Sequence, residues 1–578
     1  MASTNVIASD GVTLAVCRYN DIDPQRPTIL AIHGWPDNHH VWDGVAEQLV
    51  DRYNFIAYDV RGAGESSCPA TRSGYRFDQL VSDTRTVIDS LGVGRVHLLA
   101  HDWGSIATWA AITDESVMAK VASFTSISGP HLRYSGRFLR SARLPDVAKQ
   151  LVGSSYIGLF LCPGLPELAF RSGLGVKVLG AVERFGRTSS RSRRQVPPRS
   201  IGDYVNGLAL YRENMPAPMV SPGPQLPRTD VPVQVLVPRR DLFVTPALQR
   251  FTGSIPKGSR VIPIEGGHWV VTSRPDVIAR LTAEWVDRVV GGVPAGESEV
   301  RTGPRQVGGK LALVTGAGSG IGRATAVELA RQGARKVVIV DLDSVAAKEA
   351  ADAVRAAGAE AAVYQADVSD ETAMNDLAAQ VHREHGVVDI LVNNAGIGMA
   401  GRFLETSSAH WDAIMGVNVR GVIAGSRVFG EQMAERGQGG TIINIASAAA
   451  FMPSKSMVAY STTKAAVLAF SEALRADLAD EGITVTAVCP GFVNTNIAKS
   501  TVYAGMTAQQ QERARQKADA AYRRRNFTPE ATAKAIVKAV RTGPAVLPVA
   551  AESRIGYAMR RISPSALRLF ARFDLRQK

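Results

Sequence analysis

The sequence predicts an α/β protein with two domains, each built on a mainly parallel sheet. A chain of 578 residues is too long for one ordinary hydrophobic core. Apolar runs of strand length alternate with helical stretches in both halves, which is typical of parallel sheets. Polar or glycine-rich segments follow these runs directly, and parallel sheets carry their functional residues at that end of the strands.

Five apolar runs in the first half are predicted to be buried strands. They are Thr28–Ile32, Phe55–Asp59, Val96–Ala100, Val233–Val237 and Arg260–Pro263.

The run that ends at Ala100 leads into an abrupt turn around Asp102. Ala100 and Gly104 are small enough to let the backbone fold sharply, and the residues that follow are typical of a helix. This is the frame of a nucleophile elbow, in which the middle side chain is pushed outward. A carboxylate at that position can attack a saturated carbon and form an ester that water must break. Asp102 therefore indicates the opening of a strained ring or the displacement of a halide, whereas serine would indicate acyl transfer.

Three strand ends in the first half carry Asp102, Asp241 and His268, in that order along the chain. Nucleophile, acid and histidine in this order are typical of an α/β-hydrolase. His268 is predicted to take a proton from the hydrolytic water, and Asp241 to hold the imidazole and stabilise its charged form.

Residues 1–293 resemble the epoxide hydrolases of the α/β-hydrolase fold. The segment His-Gly-Trp-Pro at 33–36 matches the HGxP loop of that family. This match implies an oxyanion hole formed by the backbone N–H groups of Trp35 and Trp103. The family also inserts a helical cap between strands, and the insertion here covers residues 130–228 approximately.

The cap of that family carries two tyrosines that donate hydrogen bonds to the epoxide oxygen. Four tyrosines of the insertion are candidates: Tyr134, Tyr156, Tyr204 and Tyr211. Tyr156 stands seven residues before Pro-Gly, as in the first tyrosine segment of the family, and the surroundings of Tyr211 are similar to the second. The resemblance therefore implies Tyr156 and Tyr211 as the donors. The alternative is that both tyrosines serve only in packing.

Two other functions remain open for the first half. Haloalkane dehalogenases use a similar set of Asp, His and acid, but they usually place an amide or acidic residue where Trp35 stands and do not need the tyrosine pair. The second alternative is a lipid-binding module that serves the other half of the chain.

The predicted cap is both apolar and basic. Its apolar side chains are predicted to line an entrance for long alkyl chains, so a lipid-like epoxide is the expected substrate, although core packing explains any single one of them. These side chains are Leu151, Ile157, Leu159, Phe160, Leu161, Leu165 and Leu168.

The net charge of +13 is concentrated in two segments. Residues 131–200 hold thirteen Lys and Arg against three acids, and residues 551–578 hold seven against two. A solvated basic face explains this charge, and so does attraction to anionic lipid surfaces or anionic substrates, so peripheral membrane contact through cap and tail is open. Nucleic acid is not expected as a partner, since no aromatic residues interleave the arginines of Ser189–Arg194.

Residues 294–308 are rich in Gly, Pro and polar residues and are predicted to link the two domains. The run Leu311–Val314 then leads into the turn Gly316–Gly322, whose glycines permit close approach to a pyrophosphate at a helix N-terminus. The next strand ends in Asp341, 19 residues after Gly322, where an acid binds both ribose hydroxyls and repels a 2′-phosphate. The pattern predicts a Rossmann-type doubly wound parallel sheet and favours NAD over NADP.

Tyr460 and Lys464 are one helical turn apart. The ammonium is expected to lie beside the phenol and lower its pKa, so that the phenol exchanges a proton with a substrate whose oxygen Ser447 orients. Residues 309–548 resemble the short-chain dehydrogenase/reductases. Their catalytic Asn-Ser-Tyr-Lys set falls on Asn418 and these three residues.

The same resemblance implies the residues that contact the cofactor. They are Gly316, Ser319, Gly320, Ile321, Gly322, Asp341, Asp367, Val368, Asn394, Ala395, Gly396, Tyr460, Lys464, Pro490, Gly491, Val493 and Thr495. Asp367 and Asn394 are expected on the adenosine side, and Thr495 at the nicotinamide amide.

The second domain is predicted to cover residues 309–578. Residues 506–527 stand where this family places a substrate lid, and the basic tail at 563–573 is either a docking helix on its own domain or a membrane-surface anchor. Related dehydrogenases commonly pair through the helices of their catalytic residues, which implies a homodimer or homotetramer.

The four cysteines lie far apart without a CxxC motif, which predicts neither a disulfide framework nor a zinc site. No metal is expected. No secretory signal is visible at the first residues, so the expected setting is the cytoplasm, with or without association with a membrane surface.

Overall fold

The computed structural model describes residues 2–185, 197–292, 299–300, 305–495, 497–525 and 527–571. The chain divides into two units, Met1–Arg301 and Thr302–Lys578, with the boundary inside the predicted linker 294–308. Apart from Glu299–Val300 and residues 305–308, that linker lies outside the described residues.

The first unit is built on one nine-stranded sheet. Its strands are β1 (Ala2–Ile7), β2 (Thr13–Arg18), β3 (Thr28–Ile32), β4 (Asn54–Tyr58), β5 (Val96–His101), β6 (Val121–Ile127), β7 (Val233–Pro238), β8 (Arg260–Ile264) and β9 (Glu299–Val300). They follow the order β1-β2-β4-β3-β5-β6-β7-β8-β9. β2 pairs antiparallel with β1 and β4, and the other neighbours pair in parallel. All five predicted runs are strands of this sheet.

Fifteen helices surround this sheet in the described part of the first unit. They are α1 (Asp43–Ala46), α2 (Phe77–Ser90), α3 (Asp102–Ala111), α4 (Glu115–Met118), α5 (Leu132–Ser141), α6 (Leu144–Gly153), α7 (Tyr156–Leu161), α8 (Leu165–Arg171), α9 (Leu174–Phe185), α10 (Ile201–Asn206), α11 (Leu208–Asn214), α12 (Ala217–Val220), α13 (Pro246–Gly253), α14 (Val270–Ser273) and α15 (Pro275–Val290), with 3₁₀ turns at His39–Trp42 and Arg72–Tyr75. Helices α5–α12 lie between β6 and β7 and form the cap.

Alternate residues of the central strands pack on opposite faces of the first sheet. In β3, Leu30 and Ile32 join a core that contains Trp109. Ile29 and Ala31 join the opposite core, which contains Trp42. Burial on both faces explains why these strands are continuous apolar runs in the sequence.

In its described residues, the second unit contains nine strands in two sheets. They are β10 (Leu311–Thr315), β11 (Lys336–Asp341), β12 (Glu360–Gln365), β13 (Ile390–Asn393), β14 (Met399–Ala400), β15 (Gly440–Ile445), β16 (Ile483–Pro490), β17 (Val502–Tyr503) and β18 (Val546–Val549). Seven form a fully parallel sheet in the order β12-β11-β10-β13-β15-β16-β18, and β14 pairs with β17. The chain reverses its direction of winding between β10 and β13, which opens a crevice at their carboxyl ends. The predicted α/β class with a doubly wound second sheet is confirmed.

The described helices of the second unit pack on both faces of its large sheet. They are α16 (Gly320–Arg331), α17 (Ser344–Ala356), α18 (Glu371–His385), α19 (Ser408–Met415), α20 (Gly421–Arg436), α21 (Val458–Asp477), α22 (Ile497–Ser500), α23 (Ala508–Arg525), α24 (Pro529–Thr542), α25 (Ala551–Ile562) and α26 (Pro564–Phe570). A π-helical segment covers Gly416–Arg420, and 3₁₀ turns cover Phe403–Glu405 and Ala448–Ala450.

The basic tail, predicted at 563–573, contacts its own domain in its described part, residues 563–571. The backbone N–H of Lys455 donates to the carbonyl oxygen of Ala571 at 3.3 Å, and Leu567 of α26 is buried. The preceding helix, α25, is also docked, because the Ser553 hydroxyl donates to the carbonyl oxygen of Cys489 at 2.6 Å. The docking alternative therefore holds for residues 563–571.

The guanidinium of Arg61 is buried at the end of β4. It donates to both carboxylate oxygens of Asp83 at 2.6 Å, to Asp10 at 2.8 Å and to the carbonyl oxygen of Gly74 at 2.6 Å. This set of bonds ties the loop after β4 to α2 and to the turn after β1.

We expect Arg61→Ala to lower the free energy of unfolding of the first unit by about 3–5 kcal/mol, because it leaves the buried Asp83 carboxylate unpaired. Urea unfolding followed by tryptophan fluorescence measures this, since six of the seven tryptophans lie in the first unit. The matched control is Arg72→Ala, which removes an exposed partner of Glu213 and should cost about 0–1 kcal/mol. Equal losses in the two variants would contradict the argument.

Candidate active sites

Asp102 occupies the sharp turn between β5 and α3. Its φ is +51°, in the left-handed region that favours glycine and that Asp tolerates better than most other residues. A Cβ on Gly104 would lie 2.4 Å from the carbonyl oxygen of His33. A Cβ on Gly129 would lie 2.2 Å from the carbonyl oxygen of Asp102. The turn is therefore possible only because its neighbours lack side chains.

Three strand-end side chains meet at this turn. Oδ2 of Asp102 lies 3.3 Å from Nε2 of His268. Nδ1 of His268 lies 3.1 Å from both carboxylate oxygens of Asp241. Asp241 follows β7 and His268 follows β8, and all three side chains are buried. The imidazole thus bridges the two carboxyl groups.

The protonation of His268 is governed by these two neighbours. Burial works to lower the pKa of the imidazole, but the charges and hydrogen bonds of Asp241 and Asp102 raise the pKa from 6.5 to about 10. Burial likewise works to raise the pKa of Asp241, but His268 and the backbone N–H of Val244 hold that pKa below its usual value. The imidazole is therefore charged at neutral pH.

The loop after β3 contacts the carboxylate of Asp102. The backbone N–H of Trp35 donates to Oδ1 of Asp102 at 2.8 Å. A Cβ on Gly34 would lie 2.4 Å from that oxygen and 2.5 Å from the backbone nitrogen of Trp103. The backbone nitrogens of both expected oxyanion-hole residues thus lie at this turn.

Tyr156 on α7 and Tyr211 on α11 face one another beside Asp102. Their ring centroids are 6.1 Å apart, their hydroxyl groups share a hydrogen bond, and the charge of Asp102 acts on both. Burial raises the pKa of each phenol well above its usual value, so both are protonated donors at neutral pH. Trp35 and Trp103 pack edge-on against Tyr211, with centroids 5.8 and 4.9 Å away.

The other two candidate tyrosines hold the cap together. The Tyr134 hydroxyl donates to the carbonyl oxygen of Pro227 at 2.7 Å. The ring of Tyr204 stacks on Phe170, and its carbonyl oxygen accepts the indole N–H of Trp35 at 2.9 Å. Both tyrosines therefore have structural partners in or beside the cap.

Four of the cap leucines do not line an entrance, contrary to the expectation from sequence. Phe160 is buried against Trp35, and Ile157 and Leu161 are half-buried. The four exposed leucines are Leu151, Leu159, Leu165 and Leu168. Their helices turn other side chains inward, such as the aromatic ring of Phe160, and helical periodicity then sends these leucines to the opposite side.

A buried clasp between the cap and the loop after Trp35 was missed from sequence. Arg199 donates to Asp37 at 2.7 Å and to Glu183 at 3.0 Å. The indole N–H of Trp269 donates to the other oxygen of Asp37 at 3.1 Å. Burial works to lower the pKa of Arg199, but the two carboxylates raise it. The sequence feature that could have indicated this contact is Asp37, the acid directly after the HGxP segment.

The glycine turn after β10 is packed too closely to carry side chains. Gly316 and Gly320 have φ values of +61° and +55°. A Cβ on Gly322 would lie 2.1 Å from the carbonyl oxygen of Gly316. The backbone N–H of Gly318 donates to Oδ2 of Asp341 at 2.7 Å, which places the end of β11 against the turn.

Later strand ends close around the same turn. The Asn394 side chain donates to the carbonyl oxygens of Thr315 and Gly316 at 3.0 and 2.9 Å. A Cβ on Gly320 would lie 3.2 Å from Cβ of Thr495. The structure therefore brings together the turn, the end of β13 and the segment after β16.

The other predicted cofactor contacts lie in the turn or close to the carboxyl ends of β12, β13 and β16. They are Ser319, Ile321, Asp367, Val368, Ala395, Gly396, Pro490, Gly491 and Val493. A Cβ on Gly396 would lie 3.4 Å from Nζ of Lys464, so this segment joins the predicted cofactor residues to the catalytic ones.

Asn418 lies in the π-helical segment, where an extra residue in the helical turn redirects side chains. Its Oδ1 accepts the backbone N–H of Ile397 at 2.8 Å, and its Nδ2 donates to the carbonyl oxygen of Ile397 at 3.0 Å. The same amide donates to the hydroxyl of Thr463 at 3.2 Å. Asn418 thus ties the segment after β13 to α21.

Ser447, Tyr460 and Lys464 converge at the end of β15. Ser447 and Tyr460 share a side-chain hydrogen bond. Nζ of Lys464 donates to the carbonyl oxygen of Ile445 at 2.9 Å and lies 5.8 Å from the centroid of the Tyr460 ring. Burial lowers the pKa of Lys464 to about 8.

The structure does not show the expected lowering of the Tyr460 pKa by Lys464. Burial raises the pKa of Tyr460, and the hydrogen bond with Ser447 only opposes this rise. Lys464 directs its ammonium to a backbone carbonyl oxygen instead of to the phenol, and burial disfavours its charged form. Spacing along a helix showed that the two residues are neighbours, but not where the ammonium points.

The described residues contain neither a metal-binding cluster nor a helix able to span a membrane. In that part of the chain, no group of three or more His, Cys, Asp and Glu could hold a metal ion. No helix among the same residues is long and apolar enough to cross a membrane.

We expect Asp102→Asn to lower the pKa of His268 by about one unit or more, because it removes one of the two carboxylates that favour the imidazolium. The charged imidazole stabilises the wild-type fold fully below pH 6.5, and this contribution is lost as the pH rises through about 10. NMR titration of ¹³C-labelled histidine rings measures the pKa.

The matched control for this titration is Asp43→Asn. Asp43 lies 3.1 Å from His40, so its removal should move the resonance of His40 and leave that of His268 unchanged. An unchanged pKa of His268 in Asp102→Asn would contradict the charge balance described above.

Comparison with known proteins covers both units. Residues 27–275 match the family model of the alpha/beta hydrolase fold, and residues 310–504 match that of short chain dehydrogenases. A 2,3-dihydro-2,3-dihydroxybenzoate dehydrogenase of Bacillus subtilis is 38% identical over 33% of this chain and 72% of its own. A solved short chain dehydrogenase/reductase of Burkholderia phymatum, in complex with NAD, covers 46% of this chain and 96% of its own at 32% identity and a TM-score of 0.42.

Proteins named Probable oxidoreductase EphD, from Mycobacterium tuberculosis and Mycobacterium bovis, match almost the whole chain. They are 37% identical over 98% of this chain and 98% of their own. This chain, a fusion of an α/β-hydrolase domain with a short-chain dehydrogenase domain, therefore belongs to the EphD family.

Proposed function

We propose that the first domain opens epoxides to vicinal diols through an ester on Asp102, and that the second interconverts an alcohol and a ketone with NAD. The substrates are small, lipid-like molecules, which the apolar side chains packed around Tyr156 and Tyr211 support. The observation that carries the proposal for the first domain is the pair of buried, protonated tyrosines opposite a carboxylate nucleophile.

Ring opening begins at the carboxylate of Asp102. Oδ1 is bound by the N–H of Trp35, so Oδ2 attacks an epoxide carbon and the bond from that carbon to the ring oxygen breaks. The oxygen keeps the electron pair of the broken bond and takes a proton from Tyr156 or Tyr211. The product is an ester of Asp102 with a hydroxyl group on the neighbouring carbon.

Esterification also prepares the base for the second step. It removes the negative charge of Asp102 from beside His268, so the pKa of the imidazole falls. The imidazole gives its proton to the tyrosinate and then takes one from the water that attacks Cγ of the ester. The backbone N–H groups of Trp35 and Trp103 stabilise the resulting oxyanion. Collapse releases the diol with one oxygen of Asp102, and the oxygen of the water remains in the carboxylate.

The tyrosine pair favours this reaction over halide displacement. A halide leaves as a stable anion and needs no proton, whereas an alkoxide needs a donor at the moment the ring opens. Tyr156 and Tyr211 supply two such donors beside Asp102. A lipid-binding module without catalysis would need neither these donors nor an imidazolium between two carboxyl groups.

The second domain fits a dinucleotide. The glycine turn joins β10 to the N-terminus of α16, which is where such a turn would hold a pyrophosphate. Asp341, at the end of β11, accepts the backbone N–H of Gly318 beside this turn, and an acid at this position would bind the ribose hydroxyls. NAD, when bound, supplies the hydride acceptor. In the direction of reduction, the protonated phenol of Tyr460 gives its proton to the substrate oxygen while Ser447 holds the same oxygen, and in the direction of oxidation the phenolate takes that proton back. The buried amine of Lys464 lies beside the phenol ring.

Covalent linkage supports a reaction sequence across the two domains. The vicinal diol made by the first domain carries carbinols that the second can oxidise. Reduction of NAD by the purified full-length protein, supplied with its own diol, tests this order of reactions.

A single turnover of a long-chain fatty epoxide in ¹⁸O-water tests the ester on Asp102. We expect the label in the peptide that contains Asp102 and an unlabelled diol, because the diol takes an original oxygen of the carboxylate. Mass spectrometry of both products measures this. Asp102→Asn, the isosteric control, should form no diol.

Label in the diol and none in the peptide would mean direct attack of water on the epoxide. Hydrolysis of chloroalkanes without hydrolysis of epoxides would select the dehalogenase alternative.

We expect the wild-type protein to bind NADH at least about tenfold more tightly than NADPH, because the Asp341 carboxylate repels a 2′-phosphate. Asp341→Asn keeps an acceptor for the N–H of Gly318 and should reduce this preference about tenfold. Fluorescence titration with each nucleotide measures the binding. Asp352→Asn, on the exposed side of α17, is the control and should leave the preference unchanged. Equal binding of the two nucleotides by the wild type would contradict the assignment.

A further inference from the structure

The cap presents one side of its helices to Asp102 and the other to solvent. On the inner side, Phe160, Phe170 and Leu179 of α7, α8 and α9 belong to the buried aromatic cluster around Trp35. Gln150 of α6 also points inward, where its amide donates to the carbonyl oxygen of Phe243 at 2.9 Å. The opposite sides of these four consecutive helices therefore face away from the protein.

The outward sides of these helices carry apolar side chains, although they are exposed to solvent. Leu144 is 83% exposed, Val152 is 74% exposed and Leu168 is 66% exposed. We call this surface the outer cap face and define it by Leu144, Leu151, Val152, Leu159, Leu165, Leu168, Leu174 and Val178. Soluble surfaces carry isolated exposed aliphatic side chains, but six leucines and two valines on consecutive helices indicate an interaction surface.

The exposed charged side chains of the same segment are all positive. Within 142–184, the exposed charged side chains are Arg143, Lys149, Arg171, Lys177 and Arg184. The acids of the same segment are not exposed: Glu167 is paired with Arg212, Glu183 with Arg199, and Asp146 is half-buried. The outer cap face is thus apolar with a cationic rim.

A small cavity next to this face borders His268. It is lined by Val182 and Glu183 of α9, by Leu242 and Phe243, and by His268. Val178 of the outer cap face lies one helical turn before Val182 on α9. Molecules held at the outer cap face are therefore close to the opening of a cavity that borders His268.

We propose that the outer cap face binds the surface of an anionic lipid bilayer, with its leucines in the interfacial region and its five cations at the headgroups. The exposed apolar residues suit the boundary between headgroups and acyl chains, and the flanking Lys and Arg suit the anionic headgroups. Nucleic acid would not use eight aliphatic side chains, and two cationic faces of two copies of this chain would repel each other.

This binding is independent of the reaction proposed for Asp102, but it suits a lipid-like substrate. Such a substrate partitions into the bilayer rather than into water. A cap that rests on the bilayer would bring the opening beside α9 to the phase that holds the substrate.

The test is co-sedimentation of the full-length protein with vesicles of phosphatidylglycerol or of phosphatidylcholine. We expect binding to the anionic vesicles only, with a fall of about tenfold or more between 50 and 500 mM salt. The variant Leu165→Ser/Leu168→Ser/Leu174→Ser/Val178→Ser should bind about tenfold less tightly or worse. The variant Lys149→Gln/Arg171→Gln/Lys177→Gln should lose most of the salt dependence.

The matched control combines Ile7→Ser on β1 with Lys257→Gln, which change an exposed apolar and an exposed basic residue of the same unit away from the cap. It should bind as the wild type does. All variants change exposed side chains, and circular dichroism with tryptophan fluorescence verifies their folding.

Three results would overturn the proposal. The first is no binding of the wild type to anionic vesicles at 50 mM salt. The second is wild-type binding by both cap variants. The third is a smaller oligomer of the serine variant with unchanged vesicle binding, which would make the outer cap face an interface between copies of the chain. None of these results depends on epoxide turnover, so failure of the proposed reaction would leave the test intact.

Discussion

One charge arrangement dominates the first unit, namely a buried imidazolium between two carboxyl groups. Removing charged groups from water is costly, and mutual attraction offsets that cost only when the geometry is held closely. The sheet supplies that geometry, since Asp102, Asp241 and His268 stand at the ends of three parallel strands. The left-handed turn at Asp102 is part of the same arrangement, because it carries the carboxylate to the imidazole.

The site of the second unit also contains a buried cation, Lys464. Its ammonium donates to a backbone carbonyl oxygen, and burial is the main influence on its pKa. Its pKa falls as a consequence, in contrast to that of His268, which rises. Burial acts in the same direction on both bases, and the number of nearby carboxylates decides the outcome.

Much of the fold could be predicted from the sequence, because strands buried on both faces are continuous apolar runs with functional residues at their ends. Short or exposed strands such as β1 and β9 gave no such signal. In the site, Asp102 and the glycine turn were recognisable from local pattern. The direction of the Lys464 ammonium, the outward side of the cap helices and the clasp of Arg199 with Asp37 were not, since each depends on contacts between segments distant in sequence.

The hydrogen bonds from the cap to the HGxP loop couple the fit of a substrate under the cap to the position of the nucleophile. Arg199 holds Asp37, the carbonyl oxygen of Tyr204 holds the indole of Trp35, and the backbone of Trp35 holds the carboxylate of Asp102. A molecule too bulky for the cap would pull on this loop and loosen the nucleophile. Selection among substrates would then act on the rate of the chemical step more than on affinity, so that a poor fit binds and fails to react.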